Sequence, residues 1–183
     1  VVVTANRIEE RGTMPGGFVR QNINLGLLGE KDIMDVPYTV QSLSQKSIAA
    51  MAMPTRQIDQ VLANVPSIRT GTSPIKTDFS IRGIGANGAS LYLNNIPGFF
   101  IMCAGPEPNT IDHADVVIGP AATLSGSVQS YNGPDGGQPG SIYLYTKKPA
   151  ETDFSRYTQT FSGYGDWGEY IDISRNHLGG DQS

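Results

Sequence analysis

The sequence is poor in the residues that most chemistry requires. Its 183 residues include one cysteine, Cys103, and two histidines, His113 and His177. One thiol cannot close an intrachain disulfide and leaves the redox compartment open. Cys103 therefore reads as a small packed or loop residue without chemistry of its own. The histidines stand far apart with no paired cysteine, whereas a metal site needs a convergent donor set. Asp112-His113 with Asp115 is too compact to form one, so no metal is expected. Charged residues make up 16% of the chain and the formal net charge is −4. No Lys/Arg cluster extends beyond Lys147-Lys148, and phosphate binding needs a basic face, so no nucleic-acid partner is expected. No apolar run approaches 18 residues, which excludes a transmembrane helix. The chain opens on Val1-Val2-Val3-Thr4-Ala5 without a basic n-region, so an exported protein would already have shed its signal. Catalytic patterns are missing as well. Ser125 and Ser127 flank Gly126 without a nucleophile elbow, and no Ser–His–Asp order suggests a hydrolase. Gly83 to Gly88 fits G-x-G-x-x-G, but no helix or βαβ unit follows, so a dinucleotide site is not expected. The chain does not read as an enzyme.

What is abundant is punctuation: 22 glycines and 12 prolines. These call for many turns and short strands rather than a helical bundle. Residues 1–30 mix Gly12, Pro15-Gly16-Gly17 and scattered charge without a sustained period, and read as an extended, mobile arm. Its β-branched start suits addition to another protein's sheet edge, or else forms an ordinary first strand. Val36 to Val40 reads as a short strand with Pro37 at its entry. Ser44 offers an N-cap to a short helix over 45–51. A second helix follows Pro54, with Ile58, Val61, Leu62 and Val65 on one apolar stripe and closure at Asn64 and Pro66. Beyond Ile68 the period becomes two. Strands are expected around 79–82, 91–94, 115–118 and 142–147, and one helical turn over 121–124. After Pro149 two alternating segments, Phe154 to Phe161 and Glu169 to Arg175, flank a turn and form a hairpin. A lone two-stranded hairpin is marginal in water, so something must complete it. The fold class is α+β: a small mixed β-sheet with short helices, then a hairpin.

The order of these segments resembles the TonB-dependent outer-membrane receptor family, in its siderophore-receptor branch. Val1 to Ala5 resembles the later part of a TonB box. Gly26-Leu27-Leu28-Gly29-Glu30-Lys31-Asp32-Ile33-Met34-Asp35-Val36-Pro37 is similar to the segment leading into the plug, and Gln57 to Ile68 to the helix ending in "VPG(I/V)". Phe79-Ser80-Ile81-Arg82-Gly83 matches "F-x-I-R-G". Leu91 to Pro97 resembles "VYVDGVP", Ile111 to Ala121 resembles "IERVEVLRGPA", and Gly140 to Pro149 resembles "GGxINxVTKKP". Seven such segments in one order are far more specific than any one of them. The sequence departs from the pattern at Ile118, where Arg or Lys is usual, at Asp112, Asp115 and His113, and at Gln138-Pro139.

The resemblance implies an arm over 1–30, a plug domain over 31–149, and over 150–183 the start of a 22-stranded transmembrane β-barrel whose remainder is missing. It implies a receptor in the outer membrane of a Gram-negative-type bacterium. Such a receptor binds a scarce ligand, most plausibly an Fe(III)-siderophore as cargo, and TonB with its inner-membrane energising complex captures Val1, Val2, Val3, Thr4 and Ala5. Apical loops over 69–77, 85–90, 98–108 and 127–137 would hold ligand through Arg69, Asn87, Phe99, Phe100, Met102 and Tyr131. Arg82 would anchor the plug to the barrel wall. No cofactor is implied. The alternative is a stand-alone plug-like binding or surface-assembly module without transport.

Overall fold

The computed structural model describes residues 13–25, 29–51, 58–71, 78–87, 90–97, 105–119, 140–150, 152–161, 163 and 165–175. In chain order the strands are β1 (Asn22–Asn24), β2 (Glu30–Asp32) and β3 (Thr39–Leu43), followed by helices α1 (Gln45–Met51) and α2 (Ile58–Leu62). Then come β4 (Ile68–Thr70), β5 (Asp78–Ile81), β6 (Ile84–Asn87), β7 (Leu91–Leu93) and β8 (Ile96–Pro97). A 3-10 helix over Pro108–Thr110 leads into β9 (Ile111–Ile118), and the chain continues through β10 (Gly140–Thr146), β11 (Phe154–Phe161) and β12 (Trp167–Ser174).

The central sheet has the order β3-β9-β10-β7-β8. It is mixed, because β10 pairs antiparallel with β9 but parallel with β7. β4, β5 and β6 form a separate antiparallel sheet. The alternation in β10 explains why the central sheet is covered on both sides. Ile142 and Leu144 point into a core with Ile48 of α1, Ile58, Val61 and Leu62 of α2, and Phe79 and Ile81 of β5. Tyr143 and Tyr145 point the other way, onto Ile23, Leu25, Tyr92 and Val117. The expected stripe of α2 is buried throughout, Val65 included. Ser44 caps α1 as expected, its Oγ accepting from Ser47 N–H at 3.2 Å. Asn64 Nδ2 donates to the Val61 carbonyl at 3.0 Å and closes the turn after α2.

Three expectations shift. The arm expected to reach residue 30 is folded from Thr13 onward: β1 pairs with β2, and Ile23 and Leu25 are fully buried. Two aliphatic side chains are too few to register as a period, yet burying each contributes about 1.5–3 kcal/mol. The first strand of the central sheet starts at Thr39 rather than Val36. The strand expected at 115–118 begins at Ile111, because β10 pairs on through Tyr145 with His113 and Thr146 with Ile111, a register shift there leaving Asp112 without a partner in the ladder. At the start of β10, Gly140 has φ +151°, and a Cβ there would overlap the Val117 carbonyl oxygen. Only glycine fits that approach. The expected helical turn over 121–124 lies outside the described residues.

Candidate functional site

Topology gathers the expected ligand loops at one end of the domain. Ile118 ends β9 opposite Gly140, which starts β10, so segment 120–139 leaves and returns at that edge. β7 runs parallel to β10 with Leu91 beside Ile142, so it starts at the same end. β8 returns antiparallel, with Pro97 opposite Tyr92, so the chain after Pro97 also departs there. In the three-stranded sheet Thr70 pairs with Phe79 and Asp78 with Asn87, which puts the flanks of segment 71–77 at one edge with the end of β6. Asn87 is three residues from Ser90, so the two edges lie within about 11 Å of each other.

Of the expected ligand residues, Arg69 is exposed on β4 opposite Ser80, and Asn87 ends β6 on the gathered edge. Phe99, Phe100, Met102 and Tyr131 lie outside the described residues, as do Val1 to Ala5. Arg82 is exposed in the Arg82-Gly83 turn at the opposite end of the same small sheet, with φ +51° and its N–H donating to the Ser67 carbonyl at 2.8 Å. Ile118, which stands where the related pattern carries a cation, is buried in the core. Gly83 to Asn87 forms the β5–β6 turn and β6 itself, with strand pairing to β5. Among the described residues no group of acidic, histidine or cysteine side chains could hold a metal ion.

The second feature is the seam between the domain and the hairpin. β11 and β12 pair in unbroken register from Phe154↔Ser174 to Phe161↔Trp167. Along β12, Tyr170, Asp172 and Ser174 are half-buried toward the domain, while Trp167, Ile171 and Ile173 are exposed. Their cross-strand partners Phe161 and Tyr157 are exposed too. The inner residues make the joints. Lys147 Nζ, just past β10, lies 2.9 Å from Asp172 Oδ2 and 5.1 Å from the Tyr170 ring centre. Tyr170 Oη donates to the Asn109 carbonyl at 3.1 Å, and Ala150 N–H donates to Ser174 Oγ at 3.2 Å. A cleft of about 580 Å³ remains between α1, the 3-10 helix and the hairpin. Lys46, Lys147 and Arg156 line it against Glu107 and Glu169, so its charges are of mixed sign, and Ile48, Pro108 and Ile111 add apolar wall. Sequence reasoning missed Lys147, Tyr170 and Asp172 as anchors. The period-two alternation of β12 carried the signal, because it assigns Tyr170 and Asp172 to the face opposite Ile171 and Ile173.

A family model of the TonB-dependent receptor plug domain matches residues 32–131, more than half of the chain. The chain belongs to the TonB-dependent receptor plug-domain family. Among solved structures, the ferric preacinetobactin receptor BauA from Acinetobacter baumannii aligns with 86% of this chain and 23% of its own, at 30% identity and a TM-score of 0.70. The pyoverdine receptor FpvA from Pseudomonas aeruginosa PAO1 aligns with 94% of this chain and 24% of its own, at 16% identity and a TM-score of 0.69. The alcaligin receptor FauA from Bordetella pertussis aligns with 86% and 26%, at 15% identity and a TM-score of 0.64. The chain thus spans about a quarter of the length of these receptors. Comparison with curated proteins finds no significant match.

Within the plug, the charged residues of β9 face the layer that carries β1. Asp112 is a carboxylate that burial pushes up, but the hydrogen bond and charge of His113, with Arg20 and Lys147 nearby, outweigh this and hold it below the usual range. Asp115 is fully buried, and burial dominates there: its carboxyl is pushed up despite His113, Ser42, the Asn24 amide and Arg20.

Proposed function

We propose that this plug closes the bore of an outer-membrane β-barrel receptor that imports an iron–siderophore complex, and that β11 and β12 are the first strands of that barrel. The hairpin carries the reading. Its outer face carries Phe161, Tyr157, Trp167, Ile171 and Ile173, each more than half exposed, interrupted by Ser155 and the Gln159–Glu169 pair, while Tyr170, Asp172 and Ser174 turn to the plug and Asp172 is ion-paired to Lys147. Apolar-out and polar-in alternation is what a strand between hydrocarbon and a filled lumen requires. Each strand has eight residues and so runs about 26 Å along its own direction, which at the tilt of barrel strands covers about 20 Å of the roughly 25 Å apolar band.

Transport rather than catalysis follows from this arrangement. The gathered loop end takes the chelate, and Arg69, Asn87, Phe99, Phe100, Met102 and Tyr131 are the residues whose chemistry suits it, since aromatic and apolar contact fits a bulky organic ligand. TonB pairs with Val1 to Ala5 by strand addition and draws on the plug from the periplasm. Support for a siderophore as cargo comes from the BauA likeness, since BauA is a ferric preacinetobactin receptor.

The test is accumulation of radiolabelled iron, supplied as a ferric siderophore, in iron-starved cells whose only siderophore receptor is the full-length protein. Uptake is expected to need TonB and to fail in Val2→Pro, which removes a strand-pairing N–H. Ligand binding at the surface without accumulation would replace this reading with the stand-alone binding module.

A further inference from the structure

One buried cluster serves neither the ligand end nor the hairpin seam. The His113 ring is buried and stacked on Tyr145, with ring centres 4.5 Å apart and planes 17° apart. Its Nδ1 lies 2.7 Å from Asp112 Oδ2. A carboxylate at that distance accepts, so Nδ1 carries a hydrogen and donates. Nε2 is buried, has no hydrogen-bond partner, and lies 3.9 Å from Asp115 Oδ2. Asp115 accepts from Ser42 Oγ at 2.6 Å and from the Asn24 N–H at 3.0 Å. The Tyr145 hydroxyl donates to the Asn24 carbonyl at 2.7 Å. Both backbone groups of Asn24 are therefore held by side chains that surround His113. Arg20, four residues earlier, reaches Asp112 at 3.4 Å.

We propose that the buried pair of His113 and Asp115 retains one proton, carried on one residue or the other, and that this proton fastens residues 20–25 to the central sheet as a clasp. The charges around the cluster motivate it. β9 contributes Asp112 and Asp115, the segment before β1 contributes Arg20, and β3 contributes only the neutral Ser42. β10 contributes Tyr143 and Tyr145, while Lys147 beyond it is engaged by Asp172. On the β2 side, Glu30 and Asp32 are taken up by Asn22 and Gln21 in exposed contacts. With a neutral imidazole, two carboxylates face one guanidinium and one negative charge is uncompensated in a buried place. A proton on Nε2 or on Asp115 Oδ2 removes it.

The segment itself does part of the burying. Asn24 covers the Asp115 carboxylate, and Ile23 and Leu25 are fully buried on the same layer. Lifting the segment lets water reach Asp115, whose carboxyl then falls back toward its ordinary range and releases the proton. By linkage, the bound proton favours the closed clasp. The carboxyl is raised in the closed state, so this closing contribution is present at low pH and is lost as pH rises through the raised value. Lifting also removes the Asn24 amide and Arg20, which favour the ionised form, but burial is the larger influence. The consequence for transport rests on the receptor reading. Residues 20–25 lie between Val1 to Ala5 and the sheet, so a pull from the arm meets this clasp before the core.

Hydrogen-exchange mass spectrometry on the full-length protein tests the clasp without any uptake measurement. Protection of the peptide spanning residues 20–25 is followed over a pH series that starts in the ordinary carboxyl range and runs upward through neutrality. It is corrected for intrinsic exchange and compared with the β9 peptide. Protection should fall by about tenfold for each pKa unit separating the closed and lifted states. Asp115→Asn can turn its amide oxygen to the Asn24 N–H while its NH2 donates to the Ser42 hydroxyl, and it cannot ionise, so it should hold its protection with a flat profile. His113→Gln, which still donates to Asp112, should move the midpoint of the fall. A flat wild-type profile, an Asp115→Asn profile as steep as wild type, or a midpoint unmoved by His113→Gln would each overturn the proposal. A protein that passes this test but fails to import iron would sink the receptor reading and leave the clasp standing.

Discussion

β9 and β12 are both eight-residue strands, yet their surroundings are opposite. Seven residues of β9 are buried and the eighth is partly so, whereas β12 alternates exposed and half-buried along its whole length. β9 runs Asp115-Val116-Val117-Ile118 at its end because it has protein on both sides, as a strand inside a layered domain does. β12 separates Trp167, Ile171 and Ile173 from Tyr170, Asp172 and Ser174 because its two sides meet different media. Strand formation needs only the period; where each face goes is decided by what covers it. The hairpin therefore leaves its outer face uncovered, the face that the proposed barrel would turn to the membrane.

The largest effect that sharpens this contrast comes from one kind of truncation made in both regions. Leu144, fully buried in β10 beside β9, should lose about 2–5 kcal/mol on substitution by alanine, the usual cost of a core cavity. Ile173, 59% exposed, should lose less than about 0.5 kcal/mol in water after the same change. Local opening energies from hydrogen exchange at the β10 and β12 peptides measure both. Equal losses would mean that the hairpin is packed as the core is.

A charge breaks the contrast from the other side. Ile171→Arg, on the outer face midway along β12, should cost about 2–4 kcal/mol in a lipid bilayer, where an exposed arginine faces hydrocarbon near the midplane. The same protein in water or urea should tolerate it, since Ile171 is 62% exposed. The yield of heat-modifiable, membrane-inserted receptor reads the difference. Normal insertion of Ile171→Arg would place this face against protein or water and remove the main support for a barrel strand.

The parts of the fold visible in the sequence were those whose cause is local. Four apolar side chains at helical spacing placed α2, a serine before a polar-apolar turn placed the cap of α1, and alternation across a turn placed β11 and β12. The missed parts depend on residues distant in sequence. Asn24 and Asp115 meet across 91 positions, and neither shows by itself that one covers the other. Ile23 and Leu25 looked like stray aliphatics in a glycine- and proline-rich stretch until Tyr143 and Tyr145 supplied the surface beneath them. The candidate site was legible as a set of loops, because turn residues mark loop positions. That these loops converge follows only from the parallel pairing of β7 with β10, which no local pattern encodes. Anchoring was assigned to Arg82 by resemblance, while the ion pair that spans the seam belongs to Lys147, a residue inconspicuous in its Lys-Lys-Pro setting.

That ion pair sets the smallest expected effect, and it tests whether the two regions are coupled or merely adjacent. The Lys147 and Asp172 side chains are 23% and 17% exposed, so the pair is screened by water but not fully solvated. A coupling energy of about 1 kcal/mol, at the upper end for exposed pairs, is expected. Lys147→Met alone also removes the contact with the Tyr170 ring, so the single variant overstates the ion pair. Asp172→Asn leaves that contact in place. A double-mutant cycle over the two substitutions isolates the charge–charge part, read as the change in exchange protection of the β12 peptide. The coupling should shrink as salt rises, because screening acts on the pair and not on the hydrogen bond from Tyr170 to the Asn109 carbonyl. A coupling near zero at low salt would leave the hairpin held to the plug by Tyr170, Ser174 and chain continuity alone. The domain would then move against the hairpin without breaking this ionic contact.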